Sequence, residues 1–352
     1  MRFTTLGKTG ITVSKICLGC MSYGTADLPD WAGGTKGWHL DLDASREHFK
    51  LAIDSGINFF DTADVYCVGQ SEEIVGQHLQ DMARRDEIVL ATKVWGAMGP
   101  SQNERGLSRK HIIEGCEKSL KRLQTDFIDL YQIHRFDPKT DIEDTLDALD
   151  TLITQGKVRY IGASSMAAWQ FCKMLHTQKA NGWRSFVTMQ NHYNLVYREE
   201  EREMIPLCMD QGIGIIPWSP MARGFLTGSR TREGGATTQR AKVDDFATNM
   251  YFTDADFAVA EAVRIVAEVR GVKMAQVALS WVMNGAGVTS PIVGATKLEH
   301  LKEAIAAVDI ELTKEEVAAL EDPYQPHTIL GHLQPTPRSI LGLETPTRLK
   351  KK

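Results

Sequence analysis

The sequence predicts an α/β fold, a single (β/α)8 TIM barrel with long βα loops at its catalytic face. Three observations carry that expectation. Eight short apolar runs rich in β-branched residues recur along the 352 residues, and longer segments of helical periodicity lie between them. An open doubly wound sheet binding a dinucleotide would carry G-x-G-x-x-G straight after an early strand, and no such string occurs. The nearest, Gly285-Ala286-Gly287-Val288-Thr289-Ser290, precedes a strand-like run instead of a helix. No compositional break or internal repeat beyond the strand-helix unit divides the chain. One barrel domain over residues 1–322, followed by a tail over residues 323–352, is therefore expected.

The eight strand-like runs are Lys15 to Gly19, Asn58 to Asp61, Ile88 to Lys93, Phe127 to His134, Val158 to Ala163, Phe186 to Gln190, Ile213 to Trp218 and Val288 to Gly294. Each is a nearly continuous apolar stretch, as a strand buried on both faces requires. The first helical segment covers Ala44 to Asp54, with Asp43 as cap and Phe49, Leu51 and Ala52 facing inward. In the next, Arg109 to Leu123, Ser108 caps and Ile112, Ile113, Cys116, Leu120 and Leu123 form the apolar stripe. Asp141 to Ile153, Ala167 to Lys179, Glu199 to Asp210 and Leu298 to Ala307 continue the alternation.

Three stretches break the pattern: residues 21 to 43, residues 219 to 253, and the tail from Pro323, which ends in Leu349-Lys350-Lys351-Lys352. Loops this long in a compact domain usually serve as lids or are disordered. The first two emerge at the catalytic face and are read as lid or pocket wall. The tail either folds over the same mouth or is a mobile basic end.

Composition narrows the function classes. The chain has 40 Lys+Arg against 45 Asp+Glu, a net charge of -5, and 43% hydrophobic residues. That is ample core material and too little charge for a nucleic-acid-binding arm. No apolar stretch approaches the roughly 20 residues of a membrane helix, and Met1 to Leu6 lacks a signal-peptide core. A soluble cytoplasmic protein with neither nucleic-acid nor membrane partners is expected. Six cysteines, at 17, 20, 67, 116, 172 and 208, suit reduced thiols. The C-x-x-C pair Cys17 and Cys20 lacks the second ligand pair of a zinc site and the helix start of a redox motif, so it reads as packing at a strand end, and no metal site is expected.

Barrel enzymes place reactive groups at the carboxyl ends of strands. The second run ends in Asp61-Thr62-Ala63-Asp64-Val65-Tyr66, the third in Lys93-Val94-Trp95 and the fourth in His134-Arg135-Phe136, so Asp61, Tyr66, Lys93 and His134 reach one rim. A lysine closing a buried apolar strand needs a partner, and Asp61 is the candidate. A phenol of unperturbed pKa about 10 is a poor acid near neutrality, and an adjacent ammonium lowers that pKa. Lys93 would so activate Tyr66, Asp61 would hold Lys93, and His134 would orient a carbonyl.

The strings Phe59-Phe60-Asp61-Thr62-Ala63-Asp64-Val65-Tyr66, Ala91-Thr92-Lys93-Val94 and Gln132-Ile133-His134, in that order and spacing, resemble the Asp-Tyr-Lys-His tetrad of the aldo-keto reductases. The resemblance runs from Leu6-Gly7 to about Leu320. It is closest to the bacterial and fungal branch that includes the potassium-channel β subunits and many proteins provisionally called aryl-alcohol dehydrogenases. It implies NAD(P)H-dependent reduction of aldehydes or ketones, with hydride from the nicotinamide and a proton from Tyr66.

The resemblance also implies cofactor contacts. Ser164, followed by Ser165 where many members have Asn or Arg, and Gln190 correspond to the nicotinamide carboxamide ligands. Trp218 holds the aromatic position that stacks on the nicotinamide; its alternative is a plug in the barrel mouth. The segment Trp218 to Gly228 resembles the pyrophosphate-covering loop, with Ser219 and Arg223 as side-chain contacts. Gly294 leads into a helix whose amino end is an anion site. There Thr296 and Lys297 would hold the adenosine 2'-phosphate and Glu303 the adenine, with His300 where relatives often have Arg or Gln. NADPH is accordingly favoured over NADH.

The alternative from another class is an NADP(H)-binding redox-sensing regulatory subunit with slow turnover. The substrate is expected to be a small carbonyl compound, aromatic or bulky, in a pocket to which Trp31, Trp38, Tyr251 and Phe252 are the aromatic candidates. Cys67, beside the proposed acid, either lines the pocket and senses oxidation or is a buried small apolar residue. Monomer and homo-oligomer are both open.

Overall fold

The computed structural model describes residues 1–25, 28–32, 37–230, 232 and 250–330. Parts of both long loops and the tail from residue 331, including Lys350 to Lys352, lie outside the described residues.

The chain opens with an antiparallel hairpin, β1 (Phe3–Thr5) and β2 (Thr12–Ser14). Eight parallel strands follow: β3 (Cys17–Gly19), β4 (Phe59–Asp61), β5 (Val89–Val94), β6 (Ile128–Ile133), β7 (Val158–Ser164), β8 (Thr188–Gln190), β9 (Gly214–Ile215) and β10 (Ile292–Val293). Their order, β10-β3-β4-β5-β6-β7-β8-β9, follows the sequence around the sheet. The two ends also meet: Thr289 N donates to Ile215 O at 2.8 Å and Ile292 N to Pro217 O at 2.8 Å. The sheet therefore closes on itself as the expected barrel, and each of the eight runs overlaps one of these strands, β5 and β7 each running one residue further than expected.

Inside the ring, Cys17, Phe59, Val89, Ala91, Leu130, Ile216 and Ile292 pack with Leu6 and Val13 of the hairpin segment. The hairpin thus plugs the amino end of the barrel. Gly7 makes this possible: it has φ +55°, and a Cβ there would lie 2.8 Å from Val187 O and 2.9 Å from Gly214 N.

The outer helices are α1 (Leu42–Asp54), α2 (Gln70–Met82), α3 (Arg109–Arg122), α4 (Ile142–Thr154), α5 (Ala168–Asn181), α6 (Met204–Gln211), α7 (Asp254–Arg270), α8 (Met274–Met283), α9 (Leu298–Ala306) and α10 (Lys314–Glu321). Ser108 caps α3 as expected, its side chain accepting from His111 N. The cap of α1 is Asp41 and not Asp43, because Asp41 takes the extended conformation and accepts from Ala44 N. The segment Glu199 to Asp210 is two pieces, a 3-10 turn at Glu199–Glu201 and then α6.

Four helices, α2, α7, α8 and α10, were not among the helical segments expected. For α8 the reason is burial. Seven consecutive residues, Val277 to Met283, are buried, so no polar face marks its period. The tail begins by running along the loop after β8. Tyr324 Oη donates to Glu199 Oε1 at 2.7 Å, and Leu330 N donates to Tyr197 Oη at 3.0 Å.

Candidate active site

Parallel register brings the polar strand ends into one plane. Asp61 of β4 pairs with Ala91 of β5, Lys93 of β5 with Gln132 of β6, and Ser164 of β7 with Gln190 of β8. Lys93 is fully buried. Its Nζ donates to Asp61 Oδ1 at 2.5 Å, to Thr62 O at 2.7 Å and to Tyr66 Oη at 3.3 Å. All three ammonium donors are therefore engaged. The second Asp61 oxygen accepts from Gln132 Nε2 and Gln190 Nε2, both at 2.9 Å. Every strand-end residue singled out in this group is brought together, and Gln132 is a member that sequence reasoning missed. It stands inside a continuous apolar run, where only its polarity marked it.

Tyr66 arrives on a strained turn. Cys67 and Val68, neither a glycine, hold φ of 47° and 53°. The turn lays the phenol edge-on against His134, ring centroids 5.8 Å apart at 84°. Cys67 is buried beneath it.

The charges are set by opposing effects. Burial pushes the Lys93 pKa down, but the Asp61 carboxylate and the Tyr66 phenol outweigh it and hold the ammonium above its ordinary value. For Tyr66 the balance runs against the sequence expectation. Burial raises the phenol pKa more than Lys93 lowers it, and Asp61 adds to the rise. Tyr66 thus keeps its proton in the free protein. His134 is pushed well below its usual value, first by burial and then by Arg135 and Lys93, so its imidazole is neutral.

Around this cluster lies a cleft of about 910 Å³ lined by residues from the rim loops, among them Met21, Trp38, Leu40, Arg135 and Trp218. Every expected cofactor residue except Ser164 lines it: Gln190, Trp218, Ser219, Arg223, Gly294, Thr296, Lys297, His300 and Glu303. Ser164 sits behind the wall, its hydroxyl donating to Gln190 O at 2.7 Å and accepting from Arg135 Nη1 at 3.4 Å. Ser165 is engaged by Trp218, whose indole N–H donates to its hydroxyl at 2.9 Å. Behind Trp218, His192 stacks at 4.2 Å and 11°, and Tyr197 stacks on His192 at 4.2 Å and 14°. The indole plane is thereby fixed from one side and at its nitrogen.

The residues fit a nicotinamide dinucleotide on two counts. The Gln190 side-chain oxygen, facing the cleft, makes no bond among the described residues and suits a carboxamide donor. Arg223, Lys273 and Lys297 gather cations on the β9–β10 side, where a diphosphate would need them. Lys273 and Met274 belong to a wall that begins α8, the helix without periodicity in the sequence.

The expected aromatic pocket is smaller than proposed. Trp38 lines the cleft, whereas Trp31 is 42% exposed outside it. Tyr251 is buried, its hydroxyl 2.6 Å from His192 Nε2, and Phe252 packs on Phe225 and Phe257. Both loop aromatics belong to the packing beneath the wall. No residue from 323 to 330 lines the cleft. Cys17 and Cys20 are buried, and burial pushes both thiols well up; the described residues hold no group of three or more His, Cys, Asp or Glu arranged for a metal.

A family model described as the aldo/keto reductase family matches residues 15–324. The chain belongs to that family. It is an NAD(P)H-dependent oxidoreductase of carbonyl and alcohol groups. Among its relatives, versiconal hemiacetal acetate reductase of Aspergillus parasiticus is 40% identical over 94% of this chain and 98% of its own length. A Schizosaccharomyces pombe protein provisionally named an aryl-alcohol dehydrogenase is 40% identical over 93% of this chain and 97% of its own. The aldo-keto reductase AMT2 of Alternaria alternata is 40% identical over 93% and 92%. In this aldo/keto reductase no described helix is long and apolar enough to cross a membrane.

Proposed function

We propose that this reductase converts an aldehyde or ketone, aromatic or bulky, to its alcohol with NADPH, Tyr66 supplying the proton. The observation that carries the reading is the Asp61–Lys93–Tyr66 chain ending in a protonated phenol beside a neutral His134, open to a large cleft. When bound, the nicotinamide supplies hydride. The protein's own residues do the rest. His134 orients the carbonyl oxygen, and as hydride arrives that oxygen becomes basic enough to take the Tyr66 proton. Lys93 then stabilises the phenolate left behind, and Asp61 keeps Lys93 charged through the cycle.

Gln190 would hold the carboxamide, with Ser164 behind it fixing the Gln190 backbone carbonyl, Trp218 the ring face, Ser219, Arg223 and Gly294 the diphosphate region, and Thr296, Lys297, His300 and Glu303 the adenosine end. Cations gathered near Lys297 favour the 2'-phosphate of NADPH. The barrel of residues 1–322 carries the reaction, with the tail from 323 as an appendage. Steady-state NADPH oxidation with 4-nitrobenzaldehyde tests the reading. Turnover is expected, with kcat reduced at least a hundredfold in Tyr66→Phe. No turnover across a broad carbonyl panel, or full activity in Tyr66→Phe, overturns it.

A further inference from the structure

Arg135 follows His134 at the end of β6 and lines the cleft. Its Nη1 donates to His134 O at 2.5 Å and to Ser164 Oγ at 3.4 Å, and its guanidinium carbon lies 6.0 Å from the Trp218 ring centroid. Its Nε and Nη2 donate to nothing among the described residues, and no described carboxylate lies within ion-pair distance. Asp61 of the cleft and Asp137, two residues on in the chain, are engaged elsewhere, and Glu268, which also lines the cleft, pairs with Arg264. Asp61 takes Lys93, Gln132 and Gln190. Asp137 accepts from Leu107 N, Lys139 N and Thr140 Oγ1.

Burial lowers the pKa of this guanidinium, yet arginine stays charged in proteins, so a desolvated cation faces the cleft with donors open. Such a charge is costly until an anion meets it. The cofactor's own anions belong near Arg223, Lys273 and Lys297, on the other side of the cleft. Its carboxamide is neutral. The anion that answers Arg135 must come from the substrate, and a planar fork of donors matches a carboxylate.

We propose that Arg135 is a specificity-determining residue whose guanidinium binds an acidic group on the substrate, so that the preferred substrates are carbonyl compounds bearing a carboxylate. This rests on the reading of the cleft as the carbonyl-reducing site and names the substrate class for it. The Trp38 side chain in the cleft wall suits an aryl body between the two groups.

The test compares 4-formylbenzoate with its neutral methyl ester under NADPH. The unaltered protein is expected to favour the acid about 10- to 100-fold in kcat/KM, the scale of one charge-assisted hydrogen-bonding pair. In Arg135→Met the ratio falls to about one, and in Arg135→Lys it is intermediate. Because the readout is a ratio, a general loss of activity cancels. For a variant too slow to assay, binding of the two corresponding alcohols to the NADP+-loaded protein, read by tryptophan fluorescence quenching, gives the same ratio. A ratio near one in the unaltered protein, or one that survives Arg135→Met, overturns the proposal. So does a raised KM for NADPH with the substrate ratio unchanged, which would make Arg135 a cofactor contact. If neither aldehyde nor any other carbonyl is reduced, it is the function reading that fails.

Discussion

At the scale of residues, the site depends on one buried ion pair whose members are each satisfied by the other. Lys93 has no exposed surface and Asp61 only 2%, so removing either partner strands the other charge away from water, at a cost of about 3–5 kcal/mol. Lys93→Met and Asp61→Asn are each expected to lose about that much unfolding free energy. The double variant is expected to be more stable than either single one, because the stranded charge is gone. Urea unfolding of the four proteins checks this, and additive losses would contradict the coupling. Lys93 was legible in the sequence because an ammonium ending an apolar strand has few structural explanations. The direction of the Tyr66 shift was not. It depends on how far burial outweighs a neighbouring charge, which no spacing of residues reveals.

At the scale of elements, the turn from Tyr66 to Gly69 is held in place by the loop after β3. Gly24 has φ +148°, and a Cβ there would lie 2.4 Å from Cys67 Sγ and 2.5 Å from Cys67 Cβ. Gly24→Ala must therefore push the Tyr66 turn aside or deform the loop after β3. A displacement of about 1 Å at a reacting group can reduce a rate about a hundredfold. The variant is expected to lose kcat on that scale while its NADPH dissociation constant, measured by fluorescence titration, stays within about twofold. A parallel loss of cofactor binding would mean that the loop, and not the Tyr66 turn, had moved. The glycine itself was visible in the sequence. Its reason was not, because the contact joins residues 43 positions apart through the fold.

At the scale of the molecule, one buried acid makes stability depend on pH. Glu200 lies under the loop that follows β8, its Oε2 accepting from Asn191 Nδ2 at 3.4 Å. Burial pushes its pKa from 4.5 up to about 8. The folded pKa lies above the unfolded one, so its contribution is complete below about pH 4.5 and is lost as pH rises to about 8. Over that window the shift corresponds to about 5 kcal/mol. Glu200→Gln is expected to match the unaltered protein at pH 4.5 and to exceed it by an amount of that order at pH 8.5. Denaturant unfolding at both pH values checks the sign; equal stability at pH 8.5 would show that the carboxyl is not held protonated by the fold.

The sequence by itself determined the barrel and the gathering of Asp61, Tyr66, Lys93 and His134 at one rim. Both follow from local patterns: eight apolar runs too short for helices, and polar residues at their carboxyl ends, where parallel register places them on one rim whatever the loops do. Tertiary structure decided the rest, because the relevant contacts cross the chain. The hairpin plug depends on Gly7 meeting Val187 and Gly214. Seven consecutive residues of α8 are buried, so it has no amphipathic signature. Tyr251 and Phe252 read as pocket residues from their place in a long loop, but Tyr251 is buried with its hydroxyl on His192, and Phe252 packs on Phe257. Arg135 stood at a strand end in plain view. Only the absence of a described carboxylate within ion-pair distance, a fact of three-dimensional packing, distinguishes it from an ordinary paired arginine.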